Sequence, residues 1–434
     1  MILEIAIRNF RSVNDEQVLH FYTTGTQGGN LGNVVPLTES SYRALKSVAL
    51  YGANGSGKTN VLRAIWAVRM LIGNSYRLGE EEEIPWFDPC IFHDSNDGEG
   101  SRFEVEFTAP VEEGREVRFL YRIEFNDSEV FFESLSSFAR GREAVLFLRN
   151  RGDDKNTMSF GASLKGGDRK IAFFKNQAYL SVAGRSPSSP VVLRAVYRYF
   201  KKGITQIRLQ EVVPAIYSPD KIEAQKLVRY VDLGVTDIEV RENDIDETSV
   251  RFSKDTPLEI RQQLLSRLRK RYYFTHSAGG NVTGQVELAE ESDGTQRLFR
   301  LFPGIVDTLV RGGVYIIDEI ESGMHPFMAE TIVRLFNDPE LNQGQAQLLF
   351  STHDSTLLTS NLMRRDQIWF SEKVDGCSIY YSLDDFDKKT VTPTSPFARW
   401  YLEGRFGAIP TIDYSGLVNG IKAIKEKAST NENA

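Results

Sequence analysis

The sequence predicts an α/β protein built on a mixed sheet, with an antiparallel β subdomain and a mostly helical insertion. Three observations support this prediction. An apolar strand leads into a glycine-rich turn and a helix at residues 46–66, four period-two segments lie between 103 and 150, and apolar residues recur at helical spacing between 191 and 274. The first arrangement is typical of α/β folds, period-two segments separated by turns predict an antiparallel meander, and a 3.6-residue period predicts helices.

We expect two halves of one α/β domain, at residues 1–150 and 286–434, to be interrupted by an insertion at 151–285. The insertion is predicted to be mostly helical and to serve dimerisation or partner binding. Its three predicted helices are VVLRAVYRYFKK (191–202), IEAQKLVRYVDL (222–233) and PLEIRQQLLSRLRKRYYF (257–274).

Composition and charge exclude several classes of protein. The chain has 434 residues, 41% hydrophobic and 26% charged, with a net charge of −7, which disfavours coating of nucleic acid by bulk electrostatics. No run approaches the roughly 20 apolar residues that span a bilayer, and the opening MILEIAIRNFRSV has the alternation of a strand instead of a signal peptide. We expect a cytoplasmic protein without a membrane partner. Cys90 and Cys377, the only cysteines, predict neither a disulfide framework nor a zinc site.

Residues 52–59, GANGSGKT, form a predicted phosphate-binding loop between a buried strand and a helix. Glycines allow backbone N–H groups to converge on phosphate oxygens, and the helix adds its positive N-terminal end. We expect Lys58 to contact the β- and γ-phosphates of ATP with a catalytic role, and Thr59 to bind Mg²⁺. The other predicted nucleotide contacts are Gly52, Asn54, Gly55, Ser56, Gly57 and Asn60. The strand before and the helix after the loop disfavour a chance match.

A second apolar strand, Val314 to Ile317, ends in Asp318 and Glu319. Buried parallel strands carry their functional groups at their carboxyl ends, where nucleotides bind. We expect Asp318 to hold the Mg²⁺ shell, and Glu319 to orient and deprotonate the attacking water. Alone this pattern is weak, and its value comes from lying downstream of a phosphate loop.

Two further segments predict contacts to phosphate. The strand QLLF (347–350) leads to His353, which we expect to sense the γ-phosphate from a strand beside that of Asp318, although a lone histidine is more often structural. The polar turn EESDGTQR (290–297) precedes a helix, so that Ser292 and Gly294 are predicted to bind an anion. The alternative for the turn is an ordinary helix cap.

Several side chains have two open interpretations. His325 either shapes a loop that crosses to a second subunit or caps a helix, and Arg11 either reaches a phosphate or forms a surface ion pair. The acidic segment DDFD (384–387) is better explained as a solvated turn than as a nuclease centre. The basic residues on the predicted helices either track a nucleic-acid backbone or are solvated surface; they are Lys201, Lys202, Arg267, Arg269, Lys270 and Arg271.

Five motifs, in their order along the chain, resemble those of ABC-type ATPases of the SMC, RecF and OLD group. They are NFRS (9–12), GANGSGKT (52–59), ESDGTQR (291–297), VYIIDE (314–319) and STHD (351–354). The resemblance implies that the last three are a signature motif, a Walker B strand and a histidine switch. It also implies a homodimer or higher homo-oligomer that encloses two ATP molecules, in which Ser292 and Gly294 of one copy touch the γ-phosphate held by Lys58 of the other.

A finer resemblance is to AAA-like ATPases of bacterial antiphage operons, of the RloA, AbiL and PARIS AriA type. Its further segments are FESL (132–135), DEIESGMHP (318–326), RRDQIWFSEK (364–373) and YLEGRFGAIP (401–410). The resemblance implies a slow, regulated ATPase that acts as sensor or scaffold in abortive infection. A phage-derived trigger and a separate effector encoded nearby, a Toprim-like nuclease, are its implied partners.

The chain departs from the wider group in two places. Its signature reads ESDGT instead of LSGGQ, and no Q-loop glutamine is identified. Two other functions stay open on the sequence: an ATPase like RecF or SMC that binds DNA in repair or recombination, and a scaffold in which ATP is structural.

Overall fold

The computed structural model describes the chain except residues 24–30, 38–40, 93–99, 112–113, 139–140, 208–218, 232–233, 243, 245–260, 263–264, 266–268, 278–281, 344 and 432–434. The strands are β1 (Ile2–Arg8), β2 (Gln17–His20), β3 (Tyr22–Thr23), β4 (Val34–Pro36), β5 (Arg43–Leu45), β6 (Ser47–Gly52), β7 (Ser101–Pro110), β8 (Glu116–Phe125), β9 (Val130–Ser137), β10 (Ala144–Asn150), β11 (Ser159–Phe160), β12 (Ile204–Ile207), β13 (Val235–Glu242), β14 (Lys270–Ser277), β15 (Thr283–Glu287), β16 (Gly313–Ile317), β17 (Ala346–Ser351), β18 (Ile368–Val374) and β19 (Cys377–Ser382). The helices are α1 (Lys58–Asn74), α2 (Tyr179–Ala183), α3 (Val191–Gly203), α4 (Pro219–Gln225), α5 (Asp293–Arg311), α6 (Pro326–Asn337), α7 (Phe397–Leu402) and α8 (Tyr414–Asn431). In the described part of the chain, no helix combines the length and apolarity needed to cross a bilayer.

The predicted mixed sheet is confirmed. Its strand order is β12-β16-β17-β6-β18-β19, and neighbouring strands are parallel except for the final antiparallel pair. Every residue of β6 and of β17 is buried, which explains why apolar residues predominate in both strands. Because β16, β17 and β6 are adjacent and parallel, their carboxyl ends meet at one edge of the sheet.

Side chains of β6 alternate between two hydrophobic cores, one on each face of the mixed sheet. Val48 and Leu50 pack in a core with α1, α3 and the antiparallel sheet. Ala49 and Tyr51 pack in the other core, with α5 and α6. The phosphate-loop strand is therefore held from both sides, as the period-two geometry of a buried strand requires.

The predicted antiparallel subdomain is also confirmed. Its order is β11-β10-β9-β8-β7-β1-β2, so the meander continues into the opening strand of the chain. Phe107 of β7 stacks against Tyr199 of α3 with ring centroids 5.0 Å apart. Gln347 of β17 connects the two sheets, because its side chain bonds both the N–H and the carbonyl of Ile2 at 2.8 and 2.9 Å.

The interval 191–287 contains more strand than the sequence predicts. The helix expected at 191–202 is confirmed as α3, and β12 follows it directly and joins the edge of the mixed sheet. The helix expected at 222–233 is replaced by the end of α4 and a short 3₁₀ turn, Lys226–Tyr230. The division of the chain at 150 and 285 stays a prediction.

The helical interpretation of 257–274 is wrong at its carboxyl end. From Lys270 the chain forms β14, the central strand of the sheet β13-β14-β15, while most of the preceding segment lies outside the described residues. Tyr272 and Phe274, two positions apart on the strand, both point into the core and pack against Phe299 of α5. Their ring centroids lie 4.8 and 5.4 Å, respectively, from that of Phe299. Packing of these alternate aromatic side chains on α5 favours the extended conformation over the helix.

Candidate functional site

The phosphate loop has the backbone conformation that its glycines permit. It leaves β6 at Gly52 and enters α1 at Lys58, with φ of +152° at Gly52, +76° at Gly55 and +113° at Gly57. A Cβ atom on Gly57 would lie 2.1 Å from Oγ of Ser378, so only glycine fits there. The segment is therefore a tight turn that exposes its tip at Asn54 and Gly55.

A chain of hydrogen bonds connects this loop to the turn after β1 and to β19. The Asn60 amide donates to the Ser12 hydroxyl at 2.5 Å, and the two hydroxyls of Ser12 and Ser378 are 2.7 Å apart. Ser378 in turn donates to the carbonyl oxygen of Ser56 at 2.5 Å. Asn60, predicted as a nucleotide contact, thus connects the loop to the turn after β1 and to β19. Sequence reasoning missed Ser378 because β19 is far along the chain.

Lys58 is buried and points back along the loop. Its ammonium donates to the carbonyl oxygens of Gly52 and Ala53 at 2.9 and 3.1 Å. Burial lowers the pKa of Lys58, while the carboxylates of Glu319 and Asp318 oppose that shift. The cation therefore lies at the carboxyl edge of the sheet, near the acidic end of β16.

The buried hydroxyl of Ser56 has no hydrogen-bond partner among the described residues. A buried polar group without a partner is costly, and it suits a loop that receives a ligand. With the glycine turn and the start of α1, this hydroxyl gives the donor set that a nucleotide phosphate requires.

The structure brings Thr59 and Asp318 together. Oγ1 of Thr59 donates to Oδ1 of Asp318 at 3.0 Å, and Oγ of Ser351 donates to the same carboxylate oxygen at 2.5 Å. Hydroxyl and carboxylate oxygens suit Mg²⁺, which takes few protein ligands and keeps several waters. Among the described residues, no group of three or more His, Cys, Asp or Glu has metal-site geometry. Thr59 and Asp318 are the residues that would hold the ion.

Glu319 follows Asp318 in a left-handed backbone conformation with φ of +50°. Its N–H donates to Oγ of Ser351 at 2.8 Å, and its carbonyl oxygen accepts from Arg297 of α5 at 2.5 Å. The carboxylate lies close enough to Lys58 to oppose the lowering of that ammonium's pKa by burial. The predicted base is therefore beside the loop, and Arg297 is a neighbour that the sequence did not reveal.

His353 lies just beyond β17 at the same edge of the sheet. The backbone N–H of His353 donates to Oε1 of Glu321 at 2.6 Å. The other carboxylate oxygen, Oε2 of Glu321, is buried without a partner among the described residues. Partial desolvation is the largest cause that lowers the pKa of the imidazole, and the cation of Lys58 lowers it further. Burial and the neighbouring cation therefore favour the neutral imidazole, and the sensing role of His353 stays a prediction.

Ser292 caps α5, since its hydroxyl accepts from the N–H of Thr295 at 3.1 Å. This confirms the helix-cap interpretation of the turn. Gly294 lies against the loop after β16, where an added Cβ would be 2.9 Å from the carbonyl oxygen of Gly323. Contact of Ser292 and Gly294 with a phosphate held by a second copy stays a prediction.

His325, Arg11 and the DDFD segment each make local contacts within the chain. His325 caps α6, with Nδ1 accepting from the N–H of Phe327 at 3.2 Å. Arg11 forms an ion pair with Asp88 at 2.9 Å. The DDFD segment begins in a short 3₁₀ turn, and Asp384 pairs with Lys388 at 3.1 Å.

The proposed nucleic-acid residues are partly engaged within the protein. Lys201 donates to the hydroxyl of Tyr197 at 2.8 Å, and Arg271 pairs with Glu287 at 2.6 Å. Arg267 lies outside the described residues. Binding of nucleic acid stays a prediction.

Comparison with known proteins gives one matching family model and a number of similar solved structures. A family model described as "AAA domain, putative AbiEii toxin, Type IV TA system" matches residues 47–183 and 216–359, more than half of the chain. The search of curated proteins found no match. The SMC head domain from Thermotoga maritima is similar at 14% identity and a TM-score of 0.37, over 88% of this chain and 98% of that domain.

Proposed function

Because the chain belongs to the family described as an AAA domain of type IV toxin–antitoxin systems, we propose that it binds and hydrolyses ATP with Mg²⁺. The observation that carries this proposal is the hydrogen bond between Thr59 and Asp318, 3.0 Å long and directly after the phosphate loop. This contact between the two predicted metal ligands supports a shared role for them beside the proposed phosphate loop.

In the proposed reaction the loop binds the phosphates of ATP. Backbone N–H groups between Gly52 and Thr59 surround the β-phosphate, and Lys58 exchanges its bonds to the loop carbonyls for phosphate oxygens. Mg²⁺, when bound, neutralises the charge that develops on the β- and γ-phosphate oxygens. The buried hydroxyl of Ser56 gains the partner that it otherwise lacks.

Glu319 acts as the proposed general base. It accepts a proton from water as the water oxygen bonds to the γ-phosphorus, and the bond from that phosphorus to the bridging oxygen breaks to leave ADP and phosphate. His353, held neutral by desolvation and by Lys58, donates a hydrogen bond to the γ-phosphate. The two side chains project from neighbouring strand ends, β16 and β17, which fixes their separation.

The proposed assembly is a homodimer or a higher homo-oligomer. Ser292 is exposed at the start of α5, Gly294 follows it in the first turn, and the N-terminal end of a helix favours an anion. In this arrangement the two residues bind the γ-phosphate held by Lys58 of a second copy. Closure then depends on ATP, because each nucleotide contacts both chains.

The proposed biological role is that of a cytoplasmic sensor or scaffold in bacterial antiphage defence. The description of the family, which refers to a putative toxin of a toxin–antitoxin system, supports this role together with the resemblance of DEIESGMHP and YLEGRFGAIP to antiphage ATPases. A phage-derived trigger would shift the ATP-dependent assembly and release or activate a separate effector, a Toprim-like nuclease. The shift requires only that ATP or trigger binds one state better than another by a few kcal/mol.

The decisive experiment measures ATP binding and phosphate release by the purified chain with and without Mg²⁺. Glu319→Gln is expected to retain ATP binding and to hydrolyse at least about 100-fold more slowly, because a general base contributes roughly 10²- to 10⁴-fold. Size-exclusion chromatography of the same variant should show an ATP-dependent larger species. Failure of the wild-type chain to bind ATP with Mg²⁺ would overturn the proposal, whereas strong stimulation of hydrolysis by DNA would favour a repair function over defence.

A further inference from the structure

Arg297 connects helix α5 to the end of the Walker B strand, β16. One of its Nη atoms donates to the carbonyl oxygens of Asp318 and Glu319, at 3.2 and 2.5 Å. Its Nε is buried and has no hydrogen-bond partner among the described residues. A charged donor directed at two consecutive carbonyls makes bonds stronger than those between neutral groups. The guanidinium therefore stabilises the backbone of Asp318 and of Glu319, the proposed general base.

The backbone that Arg297 holds is strained. Glu319 has a φ of +50°, an uncommon conformation for a residue with a side chain, and one that persists only when the surroundings impose it. Ser351 holds the N–H of Glu319 at 2.8 Å, and Arg297 holds its carbonyl oxygen. The two contacts come from different elements, β17 and α5, so the direction of the Glu319 side chain depends on where α5 lies relative to the sheet.

Helix α5 also begins at the proposed interface between copies. Ser292 caps its first turn and is exposed, and Gly294 packs on Gly323 of the loop after β16. Arg297 is located one turn further along the same helix. A displacement of the helix start by a bound anion or a second copy would therefore reach Glu319 through one rigid element and two hydrogen bonds.

We propose that Arg297 is a positioning residue that makes hydrolysis at Glu319 depend on the placement of α5. This inference rests on the proposed ATPase function and adds a coupling residue to it. Arg297 does not contact the reacting atoms, since its bonds are to the backbone carbonyls. Its loss should slow the chemical step and leave nucleotide affinity, set by the phosphate loop, nearly unchanged.

The test compares three single variants of the full chain, Arg297→Met, Arg297→Lys and Glu319→Gln. It also includes the double variant that combines Arg297→Met with Glu319→Gln. Arg300→Met is the matched control, because Arg300 is exposed on the same helix and bonds only to Gln296 in the described contacts. Steady-state phosphate release gives kcat and KM, binding of labelled ATP gives Kd, and thermal unfolding checks that each variant is folded.

Arg297→Met is expected to lower kcat at least about tenfold with Kd for ATP within about twofold of wild type, and Arg297→Lys to recover part of the rate. The double variant should be no slower than Glu319→Gln alone, because both changes disable the same group. A wild-type kcat in Arg297→Met and Arg297→Lys, or an additive loss in the double variant, would overturn the coupling while leaving the ATPase intact. A wild-type chain without ATP turnover would overturn the ATPase and this inference together.

Discussion

The Thr59 hydroxyl donates a 3.0 Å hydrogen bond to the Asp318 carboxylate, although 259 positions separate the two residues along the chain. Strands β6 and β16 are separated in the mixed sheet only by β17, whose Ser351 bonds the same carboxylate oxygen. The helix start that carries Thr59 and the strand end that carries Asp318 therefore converge at one edge. This convergence allows the proposed metal site to be tested residue by residue.

Asp318→Ala is expected to remove the Mg²⁺-dependent part of ATP affinity. The change deletes the carboxylate that faces Thr59, so Kd for ATP with Mg²⁺ should rise by at least about tenfold, or ~1.4 kcal/mol. Isothermal titration with and without Mg²⁺ measures the effect. Asp307→Ala is the control, because Asp307 forms an exposed ion pair with Arg311 at 2.9 Å on α5. An unaltered response to Mg²⁺ in Asp318→Ala would remove this residue from the site.

The pKa of His353 is expected to lie below the ordinary histidine value of 6.5, and Lys58→Met is expected to raise it. A lowered pKa keeps the imidazole neutral as pH falls through 6.5, and removal of the neighbouring cation makes protonation easier. NMR titration of the His353 ring in both proteins measures the shift. Lys373→Met serves as the control, because Lys373 bonds the Gly376 carbonyl in the exposed β18–β19 turn. A pKa that Lys58→Met leaves unchanged would contradict the electrostatic contact.

Gly57→Ala is expected to destabilise the phosphate loop and abolish ATP binding. The new Cβ would meet Oγ of Ser378 at 2.1 Å, and φ of +113° strains any L side chain, at a cost of roughly 1–3 kcal/mol or more. Urea unfolding measures the stability loss and labelled ATP the binding loss. Gly55→Ala is the comparison, since nothing lies within 4 Å of its added Cβ. Equal losses in the two variants would show that packing against Ser378 is not the cause.

Glu133→Ala is expected to lower the free energy of unfolding by about 3–5 kcal/mol, because it leaves a buried charge without its partner. Glu133 is fully buried, accepts from the N–H groups of Tyr179 and Leu180 at 2.6 and 2.9 Å, and pairs with Arg149 at 3.7 Å. Chemical denaturation gives the loss.

Glu129→Ala provides the matched control for that change. Glu129 forms an ion pair with Arg151, whose side chain is 63% exposed, and exposed pairs contribute at most about 1 kcal/mol. A comparable loss in both variants would mean that burial of Glu133 does not govern the effect. Phosphate release should be unchanged in Glu129→Ala, since neither partner approaches the loop.

Local spacing was sufficient to predict the phosphate loop, the strand that ends at Asp318, the antiparallel meander and helix α3. In each case the signal comes from the periodicity of a strand or helix, or from backbone freedom that only glycine supplies, and both are properties of a few consecutive residues. The sequence wrongly predicts a helix at β14, because a short apolar run with flanking basic residues is compatible with both a helix and a strand. Contact of Tyr272 and Phe274 with Phe299 favours the strand.

By itself, then, the sequence determined which segments are the candidates for phosphate chemistry: the glycine turn, the acidic strand end and the histidine beyond β17. Only the tertiary structure decided which other side chains surround them, among them Arg297 at the Glu319 carbonyl, Glu321 at the His353 N–H and Ser378 beneath Ser56. The physical reason is strand order. Neighbours across a sheet or across a helix–sheet interface are selected by packing of the whole core, and no short-range spacing in the chain records that selection.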